Sequence, residues 1–120
     1  MANTLAEATE AQWVVKGSKF IAYAAPLSEP EAAAPWIQSI RALHPKARHV
    51  GSAVRWDLEW ERWDDDGEPS GSTGRPILHA LQSAEAVRTA VGVVRYFGGT
   101  LLGVPGLIRA YRGAAELALA

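Results

Sequence analysis

The sequence predicts an α+β domain, a two-layer sandwich in which a mixed sheet of about four strands carries helices on one face. Three observations lead to this class. Strand-like and helix-like segments are interspersed along the chain, two of the strand-like segments form a hairpin pattern, and the 120 residues are 48% apolar. A chain of this length and composition buries one core, so we expect a single domain over residues 1–120.

The first half of the chain predicts strands and one helix. Residues 19–25 are rich in aromatic and apolar side chains, which is typical of a strand, and a shorter strand can precede them at residues 13–15. From Ala33 to Leu43, apolar residues recur at three- and four-residue steps. Ser28 offers an N-cap, so this spacing predicts an amphipathic helix that begins after Ser28 and ends near His44 and Pro45.

The second half predicts a hairpin, a central strand and two helices. Residues 49–57 and 58–63 form the hairpin, with tryptophans alternating against charged residues. A short helix is expected at residues 76–83. In residues 89–97 the side chains that would point to either face of a strand are mostly apolar, which is typical of a central strand covered on both sides. A last helix is predicted from near Gly106 towards the chain end.

Composition and charge restrict the function classes. Twelve Lys and Arg against thirteen Asp and Glu give a formal charge of −1, so attraction for nucleic acid must come from a local site. The chain has no Cys, which excludes disulfides, thiolate metal sites and a cysteine nucleophile. Neither a secretory signal nor a run of about eighteen apolar residues is recognisable. We therefore expect a cytoplasmic protein with no membrane contact.

Two glycine-rich segments are predicted as loops: the acidic loop, residues 64–74, and the glycine loop, residues 98–106. The glycine loop has the spacing of a phosphate loop, but Val104 and Pro105 stand where its lysine and hydroxyl belong. The serine-hydrolase pattern and the two-histidine zinc pattern also fail. We therefore predict no metal and no cofactor.

The carboxylates of the acidic loop allow two interpretations. Asp64, Asp65, Asp66 and Glu68 can hold a divalent cation or act as acid and base, because clustered carboxylates supply hard oxygen ligands and split pKa values. Alternatively they belong to a solvated turn, in which they cap backbone N–H groups or pair with Arg75. Asp and Gly are common in turns, which favours the second interpretation.

Arginines flank the glycine loop and also allow two interpretations. Arg95 precedes this loop and Arg109 follows it, and the helix start near Gly106 presents free N–H groups beside them. Together these donors can hold a phosphate or a carboxylate. Alternatively the two arginines bind the acidic loop and hold the loops together. In both cases we expect the two loops to lie side by side as one recognition surface.

Two ordered motifs resemble those of the IMPACT/YigZ family. The first consists of DDGEPSG at residues 65–71 and GRPIL at 74–78. The second consists of RYFGG at 95–99 and GLIRAY at 106–111. The opening segment KGSKFIA, residues 16–22, also resembles the N-terminal domain of that family. The resemblance therefore covers nearly the whole chain.

The resemblance implies a fold like the second domain of a small-subunit ribosomal protein. It also implies a link to translation, since eukaryotic members restrain a stress-responsive kinase of an initiation factor. Longer bacterial members carry a ferredoxin-like C-terminal domain, which we expect to be absent from this chain. Leu101 and Pro105 depart from the family, which usually has a polar residue and Gly near these positions, and this weakens an anion site in the glycine loop.

We therefore expect a non-enzymatic, translation-associated binding module that recognises RNA phosphate, a ribosome-associated component or a protein partner through the two loops. An enzyme acting on a small phosphorylated or acylated molecule through the same residues is the alternative. Protein contact through the tryptophan hairpin is a third hypothesis. The predicted binding residues are Asp65, Asp66, Glu68, Ser70, Arg75, Arg95, Gly98, Gly99, Gly103, Gly106 and Arg109.

Overall fold

A computed structural model describes residues 2–120, and this range contains five strands and three α-helices. The strands are β1 (Thr9–Val15), β2 (Ser18–Pro26), β3 (His49–Arg55), β4 (Glu61–Asp64) and β5 (Thr89–Tyr96). The helices are α1 (Ala33–Leu43), α2 (Gly74–Ser83) and α3 (Gly103–Leu119), and a 3₁₀ turn (Pro30–Ala32) leads into α1.

The five strands form one sheet in the order β1-β2-β5-β3-β4, and every neighbouring pair is antiparallel. β5 lies at the centre, as its apolar pattern predicts. Its alternate side chains enter different clusters: Val91 and Val93 pack with residues of α2 and α3, whereas Ala90 and Val94 pack with residues of α1. The apolar side chains of β5 are therefore used on both faces.

Helices cover both faces of the sheet. On one face, Ile77 of α2 and Tyr111 of α3 are fully buried against Phe20 of β2. On the other face, Ile40 of α1 packs with Val50 of β3. The predicted α+β class is confirmed. The predicted mixed sheet of about four strands with helices on one face is wrong in detail, because the sheet is antiparallel, has five strands and carries α1 on its second face.

The errors have a physical reason. β1 and β4 are edge strands with largely exposed side chains, so their sequences carry little alternating apolar signal. Helical periodicity shows which stripe of a helix is buried but not which face of a sheet receives it.

α3 begins at Gly103, three residues before the predicted start, so Gly103 and Gly106 lie in its first turn and not in a loop. Pro105 fits there because N–H groups of the first turn have no partner within the helix. α2 likewise begins earlier than predicted, at Gly74, whereas α1 begins only at Ala33, after the 3₁₀ turn, and not directly after Ser28. Among residues 2–120, no helix combines the length and the apolar character needed to cross a bilayer.

The candidate site lies at one end of the sheet. At this end Lys19 of β2 is paired with Tyr96 of β5, and His49 of β3 is paired with Arg95. The register therefore brings the β1–β2 turn, the end of β5 and the start of β3 together.

Candidate functional site

Glu68 connects the acidic loop to the end of β5. The Arg95 guanidinium donates two hydrogen bonds to its carboxylate, from Nε to Oε2 at 2.8 Å and from Nη2 to Oε1 at 2.9 Å. The Glu68 residue is only 8% exposed. Burial alone would lower the pKa of Arg95, but the hydrogen bonds and the charge of Glu68, with smaller effects of Tyr111, together outweigh burial and raise that pKa. The acidic loop is thus fixed to an arginine that flanks the glycine loop, which is the second of the two interpretations of Arg95.

Tyr111 of α3 also binds Glu68. Its hydroxyl donates a hydrogen bond to Glu68 Oε2 at 2.5 Å, and its ring meets Phe20 edge to face with 5.1 Å between centroids. Burial, and secondarily the hydrogen bond to the Glu68 carboxylate, raise the pKa of Tyr111. One buried carboxylate therefore ties together the acidic loop, β5 and α3.

Asp66 connects the acidic loop to α1. Arg41 donates two hydrogen bonds to its carboxylate, at 2.8 and 2.9 Å, and the Val50 N–H donates a third at 2.8 Å. Burial tends to raise the pKa of Asp66, but the hydrogen bonds from Arg41 and Val50, together with the charges of Arg41 and His49, lower it. His49 Nδ1 donates to the Asp66 backbone carbonyl at 2.6 Å. Arg41 is not among the predicted binding residues, because its helical position gives no local sign of this long-range partner.

Asp65 shapes the loop and the start of α2. Its carboxylate accepts hydrogen bonds from the N–H groups of Gly71, Thr73 and Gly74, at 2.9, 3.1 and 2.8 Å. The acidic residues therefore cap backbone groups and pair with arginines, as the turn interpretation expects. Arg75 is not the partner that this interpretation names: its guanidinium lies over the Trp63 ring, 5.1 Å from the centroid.

The enzymatic alternative needs carboxylates that converge on an open pocket. In the structure Asp65, Asp66 and Glu68 are turned towards internal donors instead. Within residues 2–120, no three His, Asp or Glu side chains are grouped so as to hold a metal ion. Ser70 of the same loop is exposed. No observation favours acid–base chemistry here.

Gly98 packs against the β1–β2 turn and not against the acidic loop. Its N–H donates to Ser18 Oγ at 3.0 Å, and a Cβ added to it would lie 2.1 Å from the Gly17 carbonyl carbon. Gly99 is exposed and has a φ of +89°, a conformation that favours glycine. The two glycines therefore allow a close backbone approach and a tight turn.

Arg109 lies apart from Glu68. It is exposed and lines a groove of about 260 Å³ beside Trp13, Lys16 and Leu102. Within the part of the chain that the structure describes, Arg109 makes no ion pair with a carboxylate. Of the two arginines expected at the acidic loop, only Arg95 reaches it.

The tryptophan hairpin is largely internal. Trp56 and Trp60 pack against a core cluster beside α1, and only Trp63 of the three is strongly exposed, at 47%. A protein-binding surface made of all three rings is therefore not supported, because only Trp63 is exposed enough to contact a partner.

A second groove crosses this end of the sheet, and its volume is about 510 Å³. We call it the basic groove. It is lined by Lys46, Arg48, His49, Arg95, Tyr96, Phe97 and Leu101. None of these lining residues is acidic. Lys46 and Arg48 are exposed, and among residues 2–120 neither has a carboxylate within 4 Å.

Only Arg95 of the basic groove belongs to the predicted site. The sequence does carry a signal for the other basic side chains of the groove. Lys46, Arg48 and His49 are three of four consecutive residues that lead into β3. The aromatic pair Tyr96 and Phe97 directly precedes the glycines. Antiparallel pairing of β3 with β5 brings the two segments together, and that pairing is not visible in either segment alone.

These features define a class: a small α+β domain in which two carboxylates of the acidic loop, Asp66 and Glu68, are paired with arginines and a basic groove is left open. Comparison with known proteins then gives the family. The model of the Impact N-terminal domain matches residues 16–119. The chain therefore belongs to the IMPACT family, and the resemblance drawn from the two motifs is confirmed.

Relatives of known sequence agree with this assignment. The chain is 40% identical over 111 residues to the IMPACT family member YigZ of Escherichia coli, covering 88% of this chain and 53% of that protein. It is 45% identical over 106 residues to a family member of Thermus thermophilus, covering 88% and 57%. The chain thus spans little more than half the length of these curated relatives.

Two solved structures share the fold. The crystal structure of a hypothetical protein superposes with a TM-score of 0.90 at 38% identity, covering 95% of this chain and 57% of that one. The two-domain translational regulator Yih1 superposes with a TM-score of 0.63 at 26% identity, covering 98% of this chain and 49% of that one.

Proposed function

We propose that this domain takes part in the regulation of translation and binds RNA phosphates in the basic groove, as a non-enzymatic module. The observation that carries the proposal is the uncompensated positive charge of Lys46 and Arg48 in a groove without acidic lining. The role in translation is supported by the solved relative Yih1, which is a translational regulator.

The internal salt bridges explain how a chain of net charge −1 offers such a site. Asp66 and Glu68 lie near this end of the sheet, but Arg41 and Arg95 hold them at hydrogen-bond distance. Their charges are thereby neutralised locally. The field at the groove is then set by the exposed cations, which attract phosphates over roughly one Debye length, about 8 Å at physiological salt.

Fluorescence anisotropy with a labelled, unstructured RNA of about 16 nucleotides tests the proposal. If Lys46 and Arg48 each neutralise one phosphate, they contribute about −1.4 to the slope of log affinity against log salt concentration. The double variant Lys46→Ala/Arg48→Ala should lose this part of the slope and bind about tenfold more weakly at low salt.

The matched control is Arg62→Ala/Arg112→Ala, which removes the same charge from positions outside the basic groove. It should bind like the unmodified chain. Equal losses in both double variants, or affinity that does not depend on salt between about 50 and 200 mM, would overturn the proposal. Tighter binding of a polyglutamate peptide than of the RNA would assign the groove to an acidic protein segment instead.

A further inference from the structure

We infer that the basic groove selects single-stranded RNA and stacks one base on the ring of Phe97. This inference rests on the proposed function and specifies its ligand. Its starting point is the combination of two kinds of surface in one groove. Lys46 and Arg48 supply positive charge, while Phe97 and Leu101 supply apolar area.

Phe97 is an exposed aromatic side chain at this site. It is 60% exposed and Leu101 is 85% exposed, although both line the groove. Single exposed apolar side chains are ordinary on protein surfaces. Here, however, an aromatic ring and an aliphatic side chain share one groove with two cations that have no acidic partner among residues 2–120. Phosphate binding alone does not explain why the apolar side chains of Phe97 and Leu101 lie exposed in this groove.

The backbone on both sides of Phe97 is fixed. The hydroxyl of Tyr96 and Nδ1 of His44 are hydrogen-bonded at 2.7 Å. The N–H of Gly98 donates to Ser18 Oγ at 3.0 Å, and Gly98 is in close contact with the backbone of Gly17. Phe97 is therefore presented from an anchored segment. The backbone that carries the ring therefore loses little conformational freedom when a flat ligand covers the ring.

A base on an aromatic ring beside cations that hold the backbone is the general pattern of single-strand recognition. In an A-form duplex both faces of each base are covered by its neighbours, so a ring such as Phe97 cannot stack on it. Stacking of one base contributes about tenfold to a hundredfold in affinity. The structure therefore distinguishes the two forms of RNA through Phe97 and attracts both through Lys46 and Arg48.

The test compares one labelled RNA strand of about 16 nucleotides, alone and annealed to its complement, with the full chain. The single strand should bind at least about tenfold more tightly than the duplex. Phe97→Leu keeps an apolar side chain but removes the ring. It should abolish this preference while leaving duplex affinity and the salt dependence unchanged. Phe97→Tyr keeps a ring and should retain the preference.

Trp63→Leu is the matched control, because it removes an exposed ring at 47% exposure from β4, outside the groove. It should leave the preference unchanged. Equal affinity for both RNA forms, or a Phe97→Leu variant with the full preference, overturns the inference while salt-dependent binding through Lys46 and Arg48 still supports the proposed function. Loss of duplex binding in Phe97→Leu also overturns the inference, because the ring would then be needed for the structure of the domain and not for stacking on a base. Absence of binding to either form overturns the inference and the proposed function together.

Discussion

Tyr111 and Glu68 are 43 residues apart, yet the hydroxyl of the first donates a hydrogen bond of 2.5 Å to the carboxylate of the second. Arg95 binds the same carboxylate from the end of the central strand. A buried charge is tolerated only when its partners satisfy it, so these three side chains form one unit. This unit fixes the acidic loop to β5 and α3 and pairs with Arg95 the Glu68 carboxylate, which lies 3.7 Å from the groove residue His49.

Removal of the Glu68 charge should destabilise the domain strongly. Glu68→Gln leaves the Arg95 guanidinium, whose side chain is 18% exposed, without its ionic partner. We expect the free energy of unfolding in urea to fall by about 3 kcal/mol. Glu116→Gln is the control, because Glu116 forms an exposed pair with Arg112, and its cost should be below about 0.5 kcal/mol. Equal costs for the two variants would contradict the assignment of Glu68 as the central buried carboxylate.

Loss of the Tyr111 hydroxyl should change stability and its dependence on alkaline pH. Tyr111→Phe removes a hydrogen bond to a charged group, which costs about 2 kcal/mol. The pKa of Tyr111 is raised in the fold, so its contribution is complete below the ordinary value of 10.0 and is lost as the pH rises above it. Urea unfolding at increasing pH should show a shallower alkaline loss in Tyr111→Phe. Burial also raises the pKa of Tyr23, so Tyr23 should maintain part of the alkaline loss of stability in the variant. Identical slopes in variant and parent would refute this.

Asp66 should govern part of the acid stability. Its pKa is lowered in the fold, so the unfolded chain takes up the proton first as the pH falls. The contribution of Asp66 is therefore complete above the ordinary value of 3.8 and is lost as the pH falls through the native pKa. In Asp66→Asn, urea unfolding should show lower stability at neutral pH and a weaker dependence on pH below about pH 4. Glu31→Gln, at an exposed position, is the control, and an unchanged acid slope in Asp66→Asn would count against the Arg41 pair.

The two adjacent glycines of the glycine loop should respond differently to alanine. In Gly98→Ala the new methyl group would lie 2.1 Å from a Gly17 backbone atom, so the β1–β2 turn must move, at a cost of about 3 kcal/mol. In Gly99→Ala the methyl group meets no atom within 4 Å, and only the positive φ opposes it, at about 1 kcal/mol. Thermal unfolding should rank the two variants in this order. The reverse order would show that the close approach of Gly98 to Gly17 is not a constraint.

Local patterns in the sequence predict most of the secondary structure. The apolar residues of 89–97 predict a central strand, and the regular spacing in α1 and α3 predicts helices, because burial of a face imposes a period on the residues that form it. The motifs around Asp65 and Gly98 also identify the family. These properties depend on residues close together in the chain.

Long-range pairing is decided only in the tertiary structure. Which carboxylate meets which guanidinium is such a property: Asp66 binds Arg41 and Glu68 binds Arg95, while Arg75 lies over a tryptophan ring. The basic groove also depends on long-range pairing, since the register of β3 with β5 brings the segment before β3 next to the end of β5. Coulomb attraction depends on distance in space, and the order of residues along the chain does not specify that distance.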